Sequence, residues 1–291
     1  MMSEEQRARY LPRMAKGEFL GAFSMSEPNA GSDISNISCR ARKDGASYLI
    51  SGNKYWCTFA DGADFLIIIA RTSDAAAGQA PSWASPCSSS RRSAASCRRA
   101  AAARRFPRSA ISAGRPTSSP STTSASRPQD MIGEEGHAFY YATSGLETAR
   151  AHTAARAIGL GPGRARRFDR RTPTSAGSSS QPISDFQAIR FKIAEMATEI
   201  EAARQLNYFV CEQIDTGQRC DKEASMVKLF ASEMAERVCS EGIQIHGGAG
   251  YTTLHAVERH WRDARLTKIF EGTSEIQKRI ISDRLLGRGR N

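Results

Sequence analysis

Ten residues near the C-terminal end, KIFEGTSEIQ from Lys268 to Gln277, hold a carboxylate where proton chemistry can use one. Glu271 follows an apolar Ile-Phe pair and precedes a glycine, and the residues after it read as a helix start. A carboxylate on a short loop can serve as a general base if it is held rigidly and kept from bulk water. The neighbouring Gly272 lets a substrate pass close to the backbone. Ser274 is expected to cap the following helix, with Gln277 three residues on completing the reciprocal pattern. A solvated loop glutamate has the same local sequence, so these ten residues alone decide nothing.

Two further stretches have binding chemistry. In AFSMSEPNAGSD, Ala22 to Asp33, small residues and Gly31 let backbone amides approach a ligand, and Ser26 and Ser32 offer hydroxyls to an anion or a carbonyl. In KYWCTFA, Trp56 and Thr58 lie two apart on what reads as a strand, hence on one face. A Trp beside a Thr can pack a flat heterocycle and hydrogen-bond its edge, although a core tryptophan fits the same spacing. IQIHGGAGY, Ile243 to Tyr251, gives a Gly-rich turn after a helix. It is not a G-x-G-x-x-G fingerprint and no strand precedes it, which excludes a Rossmann reading. His255 and His260 have no acidic or thiol partner at ligand spacing, so no metal site is read.

The elements that must position these residues follow from pattern. Residues 3–16 read as a short charged helix interrupted near Pro12. Strand grammar then runs to about residue 72, with hairpin turns expected at Asp44-Gly45 and Gly52-Asn53 and a fully buried strand at DFLIIIA, Asp64 to Ala70. Phe186, Ile189, Ile193, Met196, Ile200 and Ala203 recur at helical spacing, as do Val227, Ala231, Met234 and Val238. Both stripes suit core packing in an antiparallel bundle.

Composition departs from this grammar in two places. Pro81 to Asp130 holds nine arginines, one acid and fourteen serines, and has no Leu, Val, Lys, Glu or Tyr. Gly161 to Ser180 holds five arginines and one acid. These segments account for the net charge of +11, and the rest of the chain is close to neutral. Neither shows a period of 2 or 3.6, so both are expected to be disordered or poorly packed. Abrupt loss and recovery of pattern is what a shifted reading frame gives, and an arginine- and serine-rich linker is the alternative. Aromatic residues do not interleave the arginines as stacking platforms would, which counts against a basic nucleic-acid-binding protein. The seven scattered cysteines suit reduced thiols. No apolar run is long enough to span a membrane, and the N-terminal residues have no signal-like apolar core, so the expected location is cytoplasmic.

Taken in order, MSEPNAGSD, KYWCTFADGADF, GLETARAHTAARAIG, QPISDFQAIRFKIAEMATEIEAAR, QIHGGAGY, RDARLTKIFEGTSEIQ and LLGR resemble the acyl-CoA dehydrogenase family of flavoproteins. The resemblance covers about residues 3–80, 131–160 and 181–288. It implies an α+β fold in which a β-barrel domain remnant precedes a C-terminal four-helix bundle, with the N-terminal helical domain mostly absent. The implied divisions are 1–20 as a remnant of that helical domain, 21–130 as the middle β domain with 81–130 aberrant, and 131–291 as the helical bundle with 161–180 aberrant.

The implied activity is α,β-dehydrogenation of a fatty acyl-CoA thioester to a trans-2-enoyl-CoA. Glu271 would remove the α-proton while the β-hydrogen leaves as hydride to FAD. By the same resemblance, Phe23, Met25 and Ser26 lie along the flavin, and Ser32 lies near the cofactor phosphates and the CoA. Trp56 and Thr58 contact the flavin. Gln244, Gly247 and Gly248 approach the adenosine end of FAD from a neighbouring subunit, and Thr273 and Ser274 meet the cofactor at a helix N-terminus. Glu147, Arg150 and Gly272 lie near the acyl-CoA. Some relatives place the base on the helix of Glu147, at the position that Ala149 occupies here, which leaves Glu271 as the matching candidate. Implied partners are an electron-transfer flavoprotein and further copies of the chain, as a homodimer or homotetramer.

Ala176 stands where the family has an arginine for the FAD pyrophosphate, and Ser179 where it has a phenylalanine. These losses count against a working enzyme. An inactive pseudogene-like fragment and an acyl-CoA oxidase-like protein stay open as alternatives.

Overall fold

The computed structural model describes residues 2–60, 62–72, 83–84, 87–88, 124–160 and 182–288. They form two compact units that divide between Ser144 and Gly145.

In the first unit, helix α1 (Glu4–Ala15) starts at a reciprocal cap: the Gln6 amide donates to Ser3 Oγ at 3.1 Å, and the Ser3 amide donates to Gln6 Oε1 at 3.0 Å. The helix runs through Pro12 and is not interrupted there. The carbonyl that Pro12 leaves without a donor belongs to Ala8, and both residues are exposed, so water can satisfy it. Tyr10 buries against Phe65 and Ile132, which fixes the helix on the β-structure.

Two sheets follow. Strands β1 (Gly21–Ser24) and β4 (Phe65–Ile68) pair in parallel, and β7 (Cys87–Ser88) pairs antiparallel to β4. The second sheet has the order β6-β5-β2-β3-β8, built from β6 (Trp83–Ala84), β5 (Ala70–Arg71), β2 (Arg40–Asp44), β3 (Ser47–Ser51) and β8 (Ser124–Ser126). The Asp44-Gly45 hairpin is present: Asp44 faces Ser47 and Gly45 has φ 55°. The expected turn at Gly52-Asn53 is not a hairpin. Gly52 lies against Cys39, just before β2, where a Cβ would come within 2.7 Å of Cys39 Cα, and the chain then leaves the sheet. The expected single strand DFLIIIA is split: β4 ends at Ile68 and β5 begins at Ala70 in the other sheet. Phe65 and Ile69 are buried, whereas Leu66 to Ile68 are only half-buried.

Part of the 81–130 segment departs from the unstructured expectation, because β6, β7 and β8 lie within it. Ladder bonds are made by the backbone and need no apolar alternation, so pattern analysis is blind to such short strands. Residues 81–82, 85–86 and 89–123, and all of 161–180, lie outside the described residues. The frame-shift reading of those stretches therefore lies outside them too. The first compact unit runs to Ser144. Helix α2 (Ala138–Ser144) belongs to it, since Ala138 is buried with Ala30, Ile37 and Ile69.

The second unit is helical: α3 (Leu146–Leu160), α4 (Gln187–Asp215), α5 (Asp221–His246), a 3-10 turn (Gly247–Tyr251), α6 (Val257–Thr267) and α7 (Ser274–Leu285). Helix α5 is central. Its Val227, Ala231, Met234 and Val238 are buried against Ala154 and Ala157 of α3 and Met196, Ile200 and Ala203 of α4. The small residues of α3 permit a close approach of the backbones. Phe186, expected in the α4 stripe, precedes the helix as its N-cap and is exposed. Among the described residues, no helix is long and apolar enough to cross a membrane.

Candidate functional site

Glu271 lies in the link between α6 and α7. Its backbone is left-handed, φ 57°, and Gly272 follows at φ 87°. For a residue with a Cβ this conformation costs about 1–2 kcal/mol, so the surrounding structure must enforce it. Four hydrogen bonds do so. Lys228 Nζ, from α5, donates to the Gly272 carbonyl at 2.6 Å. Gln277 Nε2, from α7, donates to the same oxygen at 2.8 Å and to the Glu271 carbonyl at 3.3 Å. The Ser274 amide donates to the Lys268 carbonyl at 3.1 Å, closing the loop on itself. The φ of Gly272 favours glycine, and a Cβ there would stand 2.6 Å from Gln277 Nε2 and push that side chain from its bonds.

The cap differs from the sequence reading. Thr273 is the N-cap: its extended backbone aims Oγ1 at the Ile276 amide, 3.3 Å away. Ser274 is the first helical residue, and its hydroxyl donates instead to Glu233 Oε1 of α5 at 2.7 Å. Gln277 does not close a reciprocal cap: with Thr273 as N-cap it is the fourth helical residue, its Nε2 donates to the Glu271 and Gly272 carbonyls, and its Oε1 has no partner. Lys268 bridges Glu233 and Glu236 at 2.7 and 2.6 Å and anchors the other end of the loop. Burial opposes the Glu233 charge, but hydrogen bonds from Lys268 and Ser274 outweigh it and hold its carboxyl below the usual range. The same bonds to Glu233 and Glu236 push the Lys268 ammonium up.

Two buried cations belong to this neighbourhood. Arg150, on α3, is 7% exposed, and its Nε has no hydrogen-bond partner. Burial lowers its pKa, against the charges of Asp221, Glu147 and Glu271. Lys228 is fully buried, and burial pushes its amine down to about 8, with the Glu271 charge opposing the shift and Arg150 adding to it. The structure thus brings Glu271, Gly272 and Arg150 together. Glu147 lies one turn before Arg150 and accepts from Cys220 Sγ at 3.7 Å. Lys228 escaped sequence reading. Its signal was a lysine on the inward arc of α5, between Val227 and Ala231.

Gln244, Gly247 and Gly248 lie apart from this cluster. Sixteen residues separate Lys228 from Gln244 on one helix, about 24 Å of rise. All three are exposed. Gly247 needs glycine for its φ of 59°, while Gly250 needs it for space, since a Cβ there would meet the Ile243 carbonyl at 2.7 Å.

The first unit holds the other group of candidates. Trp56 and Thr58 are not on a strand: residues 53–57 are irregular and 58–60 form a turn, with Trp56 at φ 57°. The cause is a set of lateral bonds that tie this segment to residues 23–26. The Tyr55 amide donates to the Ser26 carbonyl at 2.8 Å, Lys54 Nζ to the Met25 carbonyl at 2.9 Å, and Cys57 Sγ to the Phe23 carbonyl at 3.5 Å. With Cys57 buried, Trp56 is turned out to 60% exposure, which removes the core-tryptophan reading. Phe23 is exposed on β1, Met25 and Ser26 are half-buried, and Ser32 and Thr58 are exposed.

Beneath this surface lies Glu27, which sequence reading also missed. Its carboxylate accepts from the Ser38 amide and hydroxyl at 2.6 Å each, the Cys39 amide at 2.9 Å and Lys54 Nζ at 2.9 Å. Burial works to raise its pKa, but these hydrogen bonds outweigh it and hold the carboxyl below the ordinary value.

Comparison with known proteins gives these two sites a common context. The "Acyl-CoA dehydrogenase, middle domain" family matches residues 22–89, and the "Acyl-CoA dehydrogenase, C-terminal domain" family matches residues 136–286. An acyl-CoA dehydrogenase of Bacillus subtilis is 36% identical over 286 residues, covering 98% of this chain and 73% of the relative. The chain belongs to the acyl-CoA dehydrogenase family. The caffeyl-CoA reductase-Etf complex subunit CarC of Acetobacterium woodii is 33% identical, covering 98% of this chain and 73% of that one. The solved butyryl-CoA dehydrogenase of Megasphaera elsdenii superposes with a TM-score of 0.85 at 30% identity, covering 98% of this chain and 72% of that one.

Acyl-CoA dehydrogenases are FAD-dependent flavoproteins, and the first unit has exposed aromatic rings of the kind a flat heterocycle can pack against. Exposed aromatic rings at Phe23 and Trp56 stand on segments bonded to each other, with the Ser26 hydroxyl between them in sequence. Ala176 and Ser179, which the resemblance sets at the family's arginine and phenylalanine positions, lie outside the described residues.

Proposed function

We propose that this acyl-CoA dehydrogenase family member acts as an FAD-dependent α,β-dehydrogenase of acyl-CoA thioesters, with Glu271 as the base. The observation that carries the reading is the enforced left-handed backbone at Glu271, held by Lys228 and Gln277 beside the buried Arg150. A solvated loop glutamate has no need of such a clamp.

In this reading Glu271 takes the α-proton of the thioester as the α C–H bond breaks and the α,β double bond forms. FAD, when bound, supplies the acceptor for the β-hydrogen as hydride. Negative charge develops on the thioester oxygen as the proton leaves, and donors fixed beside it lower the barrier. Among the described residues, the Glu271 and Gly272 amides donate to no backbone carbonyl, so both remain as donors for that oxygen. Arg150 and Lys228 add positive potential in the same buried neighbourhood. Gly272 keeps the approach clear, and Glu147 is a candidate for acyl-CoA contact.

Phe23, Met25, Ser26, Trp56 and Thr58 would hold the flavin ring, and Ser32 the phosphates or CoA. Gln244, Gly247 and Gly248 would serve the adenosine end, and Thr273 and Ser274 the helix N-terminus beside the cofactor. An electron-transfer flavoprotein as acceptor is supported by the name of the Acetobacterium woodii relative. The test is bleaching of the flavin by acyl-CoA in FAD-supplemented protein. Glu271→Gln should abolish bleaching with FAD content unchanged. Bleaching that survives the substitution places the base elsewhere, with Glu147 next to be replaced.

A further inference from the structure

Helix α5 carries a lysine where its neighbours are core residues. Lys228 is fully buried, as are Val227, Ala231 and Ser232 around it. An ammonium in such a place is costly unless paired, and apolar packing gives no reason for one. Its Nζ donates to the Gly272 carbonyl at 2.6 Å. That carbonyl belongs to the second of two consecutive residues with positive φ, Glu271 and Gly272. Gln277 Nε2 shares the same oxygen at 2.8 Å, so the peptide is gripped from α5 and from α7.

We propose that Lys228 is a positioning residue for Glu271: its ammonium holds the Gly272 carbonyl and so fixes the left-handed backbone that presents the Glu271 carboxylate. The proposal rests on the reading of Glu271 as the base, which it deepens. The charges acting on Nζ are Glu271 in the loop, Arg150 on α3, Glu233 on α5 itself and Glu275 on α7. Burial outweighs the three carboxylates and brings the amine down to about 8 from its ordinary 10.5. The grip is therefore a charge-assisted hydrogen bond at neutral pH and an ordinary one in the alkaline range. The stability sign is opposite. With its folded pKa below the unfolded one, the amine's contribution to stability rises with pH between about 8 and 10.5. Lys228→Met should therefore leave the fold at least as stable at neutral pH while loosening one loop.

The test is amide hydrogen exchange of the full chain, followed over the segment 270–277 at pH 7 and pH 9.5 and corrected for the intrinsic pH dependence of exchange. In the unsubstituted protein, protection of this segment should fall as pH rises through about 8. In Lys228→Met it should already be about ten- to a hundredfold lower at pH 7, as expected for loss of a hydrogen bond from a charged donor, and should show no further step. The urea midpoint at pH 7 should stay at or above that of the unsubstituted protein. Unchanged protection in Lys228→Met would overturn the proposal. So would a loss that merely tracks a fall in global stability, or a pH step that persists in the variant. The pH comparison on the unsubstituted chain needs no variant to fold. Neither arm uses flavin or acyl-CoA. A Glu271→Gln protein that still bleaches would sink the base assignment with the exchange result intact, while unchanged exchange with an inactive Glu271→Gln sinks only the role of Lys228.

Discussion

Glu271 shows what a residue's neighbours in sequence can and cannot reveal. The glycine beside it was legible as a functional feature, and Gly272 is favoured by its φ of 87° and by Gln277 Nε2, 2.6 Å from where a Cβ would stand. What held the loop was not legible. Lys228 lies forty-three positions earlier, on a helix whose stripe reads as plain core, and periodicity cannot tell a buried lysine from a solvated one one step round the helix. The cap was misplaced by one residue because Thr273 and Ser274 both suit an N-cap and only the backbone chooses. At this scale Gly272→Ala is expected to lose about 1–3 kcal/mol, from the cost of an unfavourable φ and the push on Gln277. Urea unfolding measures it, and a fall in the segment's exchange protection should accompany it.

Among the elements, the long helices were the most legible. Val227, Ala231, Met234 and Val238 are all buried, because a stripe at 3.6 spacing has one way to bury itself. The irregular segment 53–57 was the least legible. Trp56 and Thr58 alternate like strand residues, but lateral bonds from Lys54, Tyr55 and Cys57 to residues 23–26 override the local preference. Glu27 is the anchor of that arrangement, and replacing its partner should expose this. Lys54→Met leaves a buried carboxylate without its counter-ion and is expected to destabilise the first unit by about 3 kcal/mol. Because the Glu27 pKa is lowered in the folded protein, its contribution is present above the ordinary carboxylate pKa and fades as pH falls through the lowered one. The unsubstituted protein should thus lose stability in acid more steeply than Lys54→Met, as followed by urea midpoints between pH 6 and pH 3.

For the molecule as a whole, order of motifs carried further than any single motif, and the family it pointed to matches residues 22–89 and 136–286. Composition located the net charge of +11 in two segments and so argued against a nucleic-acid partner. It could not find the short strands β6, β7 and β8, whose ladder pairing needs no apolar alternation. If both segments are frame-shifted, the loss of an arginine at Ala176 removes a charge-assisted bond worth about 1.5–3 kcal/mol. The chain should then bind FAD weakly, and correcting both segments at the DNA level should raise flavin absorbance per chain by about tenfold or more at limiting FAD. Equal and stoichiometric flavin in the two proteins would show that the segments are tolerated.

The most direct measurement of the central claim isolates the proton. Saturated acyl-CoA is incubated in deuterium oxide with FAD-supplemented protein, and deuterium at the α carbon is read by mass spectrometry. Glu271 as the base predicts incorporation with the unsubstituted chain and none above the protein-free rate with Glu271→Gln. Equal incorporation with the two proteins would contradict it.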